Sequence, residues 1–209
     1  MKLAAARNRA SRALPRRVAA LRPRADSRAP QVLAAAAEIF ARKGFEATSI
    51  RDIVREVGML PGSLYAHFDN KECLLLAVYE EGVRRISTAV EVALDGETEP
   101  WRRLEVACAA HLESLASKNG FARVVVTVRP QDVPQVGEKL ARLREGYEEL
   151  FRKLLAQLPL PKGVDRRAMR LLLLGALNWA PGWFQPERGS AARVATGFIA
   201  LLRRGAGRE

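Results

Sequence analysis

The chain has 209 residues, with 35 lysines and arginines against 23 aspartates and glutamates, a formal charge of +12 and 48% hydrophobic residues. That length can bury the core of one or two small domains, and the composition is globular rather than fibrous. Two histidines (His67, His111) and two cysteines 35 positions apart (Cys73, Cys108) leave little for a metal site, a disulfide framework or a Ser-His-Asp set; no catalytic, metal or cofactor site is expected, and a reduced cytoplasmic protein is the default.

The charge is concentrated at the N-terminus. Residues 1–28 carry Lys2 and eight arginines against the single acid Asp26, whereas 29–80 hold five basic and seven acidic residues. An Arg/Ala tail with Pro15 and Pro23 and few large apolar side chains is expected to be disordered in isolation. Three readings fit it: a basic arm adding counterion-release affinity for DNA, a solvated extension or mis-set start without a role, or an Arg-rich transit peptide.

From 31 to 80 the pattern is short helices with clear punctuation. Leu33, Ala36, Ala37 and Phe40 give a first helix one apolar face, closed by Lys43-Gly44. Thr48 or Ser49 caps a second helix with Asp52 in its first turn and Ile50, Ile53, Val54 and Val57 as its stripe, stopped by Gly58. Pro61 opens a third helix running to about Phe68, with Leu64 and Phe68 inward; Asp69-Asn70 caps a fourth from Lys71. Two helices of fewer than about ten residues joined by a glycine-containing turn have the dimensions of a helix-turn-helix, whose second helix enters the major groove. The outward candidates on it are Pro61, Gly62, Ser63, Ala66 and His67.

The run from Ala37 to Leu76, AEIFARKGFEATSIRDIVREVGMLPGSLYAHFDNKECLLL, resembles the N-terminal domain of the TetR family of bacterial repressors. The matching positions are F-x-x-x-G-F-x-x-T-S-I-x-x-I from Phe40 to Ile53, then G-x-x-x-G-S-L-Y-x-H-F-x-N-K-E-x-L from Gly58 to Leu74. The resemblance implies DNA contacts at Thr48 and Ser49, then Leu60, Pro61, Gly62, Ser63, Tyr65 and His67, and finally Lys71 as a phosphate clamp. Leu60-Pro61 departs from the Ser or Thr and polar residue of many members, which shifts weight toward shape and backbone readout. Tyr65 has a second reading as half core, and Thr48 and Ser49 as caps alone.

Beyond residue 80 the elements read as helices throughout. The fourth runs to about Leu94 before Asp95-Gly96, and another runs from Pro100-Trp101 to about Lys118, closed by Asn119-Gly120. FARVVVTV (121–128) has strand-forming residues but no partner, so a short buried helix is expected. A long helix to about Gln157 carries Leu140, Leu143, Tyr147, Leu150, Phe151 and Leu154 on one face, and two more span about 165–180 and 189–204. The expected fold is all-α and TetR-like, of about nine helices. It divides into the extension 1–28, a helix-turn-helix domain 29–75 and a helical ligand-binding and dimerisation domain 76–209. Residues 168–184 are apolar nearly all round and are expected to be buried on most sides, in a core or a homodimer interface. The longest uncharged apolar stretch, Leu171 to Gln185, is broken by Pro181 and is shorter than the about 20 residues of a membrane span.

The segment NWAPGWFQPERGS (178–190) resembles the C-terminal segment of TetR-type regulators of fatty-acid and sterol-ring degradation that respond to acyl-coenzyme A thioesters. The resemblance implies an acyl pocket at Trp179, Trp183 and Phe184, with Arg123 and Arg129 facing ligand phosphates. The same aromatics also read as interface anchors, and the arginines as solvated surface. The leading functional reading is a homodimeric repressor on a palindromic double-stranded operator, released by a small effector such as a fatty acyl-CoA. The alternatives are a ligand-independent DNA-binding protein and an acyl-CoA-binding protein or enzyme using His111 or Cys108.

Overall fold

The computed structural model describes residues 28–117 and 120–206, and among them it contains nine α-helices and no strand. The expected basic extension lies outside the described residues except for Arg28, as does Asn119. The helices are α1 (Ala29–Lys43), α2 (Ile50–Glu56), α3 (Pro61–Tyr65), α4 (Lys71–Leu94), α5 (Pro100–Ala116), α6 (Phe121–Thr127), α7 (Gly137–Ala156), α8 (Arg166–Asn178) and α9 (Ala191–Ala206).

Side-chain caps set several of these boundaries. Ser49 and Asp52 form a reciprocal capping box at α2, and the Asn70 side-chain oxygen accepts from the Cys73 N–H at 2.7 Å to start α4. Asp165 accepts from the N–H groups of Arg167 and Ala168 at the head of α8. The third helix is shorter than the pattern predicts: it starts at Pro61, and after Tyr65 the His67 and Phe68 N–H groups both fold back on the Leu64 carbonyl. That turn still buries Leu64 and Phe68 while freeing the chain for the Asn70 cap.

α1 to α3 close over Ile39, Phe40, Phe45, Ile53 and Leu64, and the same core continues along α4 into the C-terminal helices. The run 121–128 is a buried short helix, α6, seated in the angle between α1 and α4. Two glycines allow that seat. A Cβ at Gly82 of α4 would stand 2.7 Å from the Phe121 carbonyl oxygen and from Val125 Cγ2. Gly120, at φ +69°, approaches α1 so closely that a Cβ there would lie 2.6 Å from the Ala37 carbonyl oxygen.

The 168–184 region is buried on one side only within the protomer. Met169, Leu173, Leu174, Leu177 and Ala180 face the core, but Leu171, Leu172, Trp179 and Trp183 are exposed on the protomer. One row of α8 meets α5 and α7, while Leu171 and Leu172 on the other are exposed among the described residues. No described helix is long and apolar enough to cross a membrane.

Candidate functional site

The turn between α2 and α3 presents a small, weakly charged surface. Gly58 adopts φ +62°, and the following Met59 N–H donates to the Val54 carbonyl at 2.9 Å, aiming the chain at α3. Leu60, in extended conformation, is 77% exposed, and Pro61 takes the first helical position without an orphaned N–H. Gly62, Ser63 and Tyr65 stand outward, while His67 is half-buried with its ring tilted against Phe68. Ser63 and His67 share an open groove of about 410 Å³ with Gly58, Met59, Leu60 and Arg28. Of the outward set expected on the third helix, Pro61, Gly62, Ser63 and Ala66 are exposed and His67 is half-buried, and Ser63 and His67 line this groove.

The flanking residues are placed differently. Thr48 is 2% exposed, and its hydroxyl donates to the Gly44 carbonyl at 2.7 Å, so its side chain braces the α1–α2 loop and cannot reach a ligand. Ser49 is exposed, but its hydroxyl is engaged by Asp52. Lys71 turns inward: Nζ donates to the Phe45 and Thr48 carbonyls at 3.0 and 3.1 Å and lies 4.1 Å above the Phe45 ring. The lysine expected to clamp a phosphate thus ties α4 to the loop before α2, with two of its three N–H donors occupied. Asp52 draws in two more cations, Lys43 at 3.7 Å and Arg55 at 3.0 Å. Its carboxyl is held below the usual range mainly by the Ser49 backbone and hydroxyl hydrogen bonds, with those cations adding to the effect.

A second feature lies in the C-terminal helices. A cleft of about 140 Å³ is lined by Leu115, Ala116, Arg123, Ala180, Pro181 and Phe184, with Pro186 at its edge. It brings together two of the five residues expected around a ligand, Arg123 and Phe184. The other three lie elsewhere. Trp179 is 73% exposed, Trp183 packs against Phe184 and Phe198 on the outer side, and Arg129 is held by Asp132 at 2.8 Å on the surface. The reason is local: Ala180–Gly182 forms a single 3₁₀ turn that swings the tryptophans away while the Phe184 N–H returns to the Ala180 carbonyl at 2.7 Å. An apolar groove between Met169 and Leu172 of α8 and Leu201 and Leu202 of α9 opens on the same protomer surface.

Sequence reasoning missed the buried polar pair under α4. His111 is 1% exposed, its Nδ1 lies 2.7 Å from the Tyr147 hydroxyl, and the two rings stack. Burial drives the His111 pKa down to about 4, with Asn178 acting the other way. Its Nε2 and the Tyr79 hydroxyl have no hydrogen-bond partner among the described residues. Burial also pushes the Cys108 thiol up, away from the thiolate a nucleophile needs. The signal available beforehand was one histidine within an apolar helix, which did not reveal Tyr147 as its partner.

Two family models match the chain: bacterial regulatory proteins of the tetR family over residues 32–78, and the tetracyclin repressor-like C-terminal domain over 97–206. The Bacillus subtilis fatty acid metabolism regulator protein is 22% identical over 152 residues, 71% of this chain and 78% of that protein. The transcriptional repressor KstR2 of Mycolicibacterium smegmatis is 34% identical over 113 residues, 52% of this chain and 54% of that one. The fold matches that of AibR in complex with isovaleryl coenzyme A and operator DNA, with a TM-score of 0.73 at 21% identity, over 84% of this chain and 97% of AibR. These relatives are transcriptional regulators, not enzymes.

Proposed function

The chain belongs to the TetR family of bacterial transcriptional regulators, and from that premise we propose that it is a homodimeric repressor released from a palindromic operator by an acyl-coenzyme A thioester. The face formed by Leu60, Pro61, Gly62, Ser63, Tyr65 and His67 meets the major groove. Its few hydrogen-bonding tips leave much of the specificity to backbone approach and DNA shape. The exposed Leu171, Leu172, Trp179 and Leu201 pair with a second copy, since burying each large apolar side chain contributes about 2 kcal/mol. Two-fold pairing sets two recognition helices about 34 Å apart on one face of the duplex.

The observation that carries the effector reading is the position of α6. One end bears Arg123 on the cleft; its buried side is wedged against Gly82 of α4 and, through Gly120, against α1. A ligand that opens the cleft displaces α6 and, with it, the two helices that set the recognition face, which is the differential binding a population shift needs. Arg123 supplies a cation for coenzyme A phosphates, and Phe184 an apolar wall for the acyl end. Cavities of about 150 Å³ take up a molecule the size of benzene, so the cleft favours a short or branched acyl end.

The test is a titration of isovaleryl-CoA and palmitoyl-CoA against the protein bound to its own promoter fragment, at fixed salt. Release at micromolar isovaleryl-CoA, weakened at least about tenfold (1.4 kcal/mol) by Arg123→Gln, is the expected result. Promoter binding indifferent to every thioester sinks the effector reading and leaves a regulator without this ligand.

A further inference from the structure

The cleft and the buried polar pair are neighbours between the same three elements. Leu115 of α5 lines the cleft, and His111 lies one turn earlier on that helix, about 5.4 Å along its axis. Arg123 of α6 borders the cleft, while Val126, three positions on and on the same side of α6, lines a small cavity beside His111. Asn178 ends α8 at this cavity, and Ala180 borders the cleft. Arg144 and Glu148 of α7 complete the cavity wall, Glu148 paired with Arg170. His111 Nδ1 is taken by the Tyr147 hydroxyl at 2.7 Å, whereas the buried Nε2 has no partner among the described residues. Asn178 acts on the ring's pKa but does not supply that hydrogen bond. An orphaned buried nitrogen beside a ligand-sized cleft calls for a specific reason.

We propose that His111 Nε2 recognises a hydroxyl at the inner end of the effector's acyl chain, so that the regulator answers to a hydroxylated short acyl-CoA in preference to its plain homologue. An acyl chain entering beside Arg123 runs along α6 toward Val126 and His111. Size selects the group it carries: the cavity of about 10 Å³ has room for about one oxygen atom. A carboxylate brings two, and Glu148 on the same wall repels it. Protonation narrows the choice further. Burial keeps the imidazole neutral at pH 7, with its pKa pushed down to about 4, so one ring nitrogen donates and the other accepts. If the Tyr147 hydroxyl donates to Nδ1, the Nε2–H donates to the ligand oxygen; if it accepts from Nδ1, Nε2 accepts from the ligand O–H. A hydroxyl serves both arrangements, a ketone only the first. The inference rests on the effector reading of the cleft and adds what the acyl end carries.

The experiment measures thioester affinities of the full chain by isothermal titration calorimetry, with release from the promoter fragment followed in parallel. One set is butyryl-CoA, ω-hydroxybutyryl-CoA and succinyl-CoA; the other is hexanoyl-CoA, ω-hydroxyhexanoyl-CoA and adipyl-CoA. In at least one set the hydroxylated member should bind at least about fivefold tighter than the plain one, since a site with a hydrogen-bonding atom to satisfy rejects the analogue that lacks the group. His111→Leu/Tyr147→Phe removes both members of the pair without orphaning a hydroxyl, and should bring that ratio to within about twofold of one while the plain thioesters still bind. The chain has only two histidines, so spectra of isotope-labelled histidine report on His111 in the parent itself, whatever the variant's stability. The His111 Nε2 resonance should move further with the hydroxylated ligand than with the plain one. A smaller ratio in both sets, or an equal resonance shift, overturns the inference, leaves the effector reading standing and gives Nε2 to solvent water. A hydroxyl preference that survives in the double variant overturns the role of His111. Tighter binding of succinyl-CoA or adipyl-CoA than of the hydroxylated member overturns the choice of group. No binding and no release with any of these thioesters sinks the effector reading, and this inference with it.

Discussion

The helix-turn-helix unit and the C-terminal helices are stabilised in different ways. In the first, short helices are held by local hydrogen bonds: the Ser49–Asp52 box, the Asn70 cap, the Thr48 hydroxyl on Gly44 and the Lys71 ammonium on two carbonyls. In the second, longer helices are held by close approach of backbones and by buried side chains from distant positions, as at Gly82, Gly120 and the His111–Tyr147 pair. In the first region buried or half-buried polar groups such as Thr48 and Lys71 are tied to backbone carbonyls; the second encloses the His111–Tyr147 pair and leaves Leu171, Leu172, Trp179 and Leu201 exposed on the protomer. A signal between them must pass through α4 and α6, where the two designs meet.

The largest expected effect comes from breaking that junction. Gly82→Val puts a branched side chain where even a Cβ lies 2.7 Å from the Phe121 carbonyl oxygen, which a backbone group cannot rotate away to relieve. Overpacking of this kind should destabilise the protein by about 3 kcal/mol, read as a lower urea midpoint. Unchanged stability would mean that α6 is not wedged there and would remove the coupling argument.

Nearly as large is the pH response of the C-terminal interior. The His111 pKa is depressed to about 4 in the folded protein, against 6.5 when solvated, so the unfolded chain binds more protons between those values. The stability tied to neutral His111 is present above pH 6.5 and lost as pH falls toward 4, by up to about 3 kcal/mol. Unfolding measured at pH 7 and pH 4 should show a smaller loss in His111→Leu than in the parent; identical losses would place the titration elsewhere.

These contrasts also explain what could be read beforehand. The α2 box, the Asn70 cap, the limits of α4 and the outward set on α3 follow from residues within one or two turns of each other, and local chemistry suffices for them. Lys71 does not follow, because its partners lie outside that range. Thr48, bonded to Gly44 four positions back, and Trp179, beside the Ala180–Gly182 turn, are set by local contacts that a reading as DNA contact or pocket wall passes over. Lys71 bonds carbonyls 26 and 23 positions away, and the direction of Trp179 depends on a turn after α8. The cleft joins α5, α6 and the segment after α8, so no local pattern marks Leu115 and Phe184 as neighbours. Lys71→Met tests the inward assignment: loss of about 1.5 kcal/mol of stability with a nearly unchanged salt slope fits a strut. Unchanged melting with a slope reduced by about one would restore the phosphate clamp.

The smallest expected change in stability is at Tyr65, which is 51% exposed on the proposed recognition face. Tyr65→Phe removes only the hydroxyl, and at an exposed site this should shift stability by less than about 0.5 kcal/mol. A lost phosphate hydrogen bond, by contrast, should weaken operator binding about fivefold, near 1 kcal/mol. Stability and DNA affinity therefore separate at Tyr65 and move together at Gly82. A Tyr65→Phe protein that melts early would show that the hydroxyl supports the fold, and would shift the working surface of α3 toward Ser63 and His67.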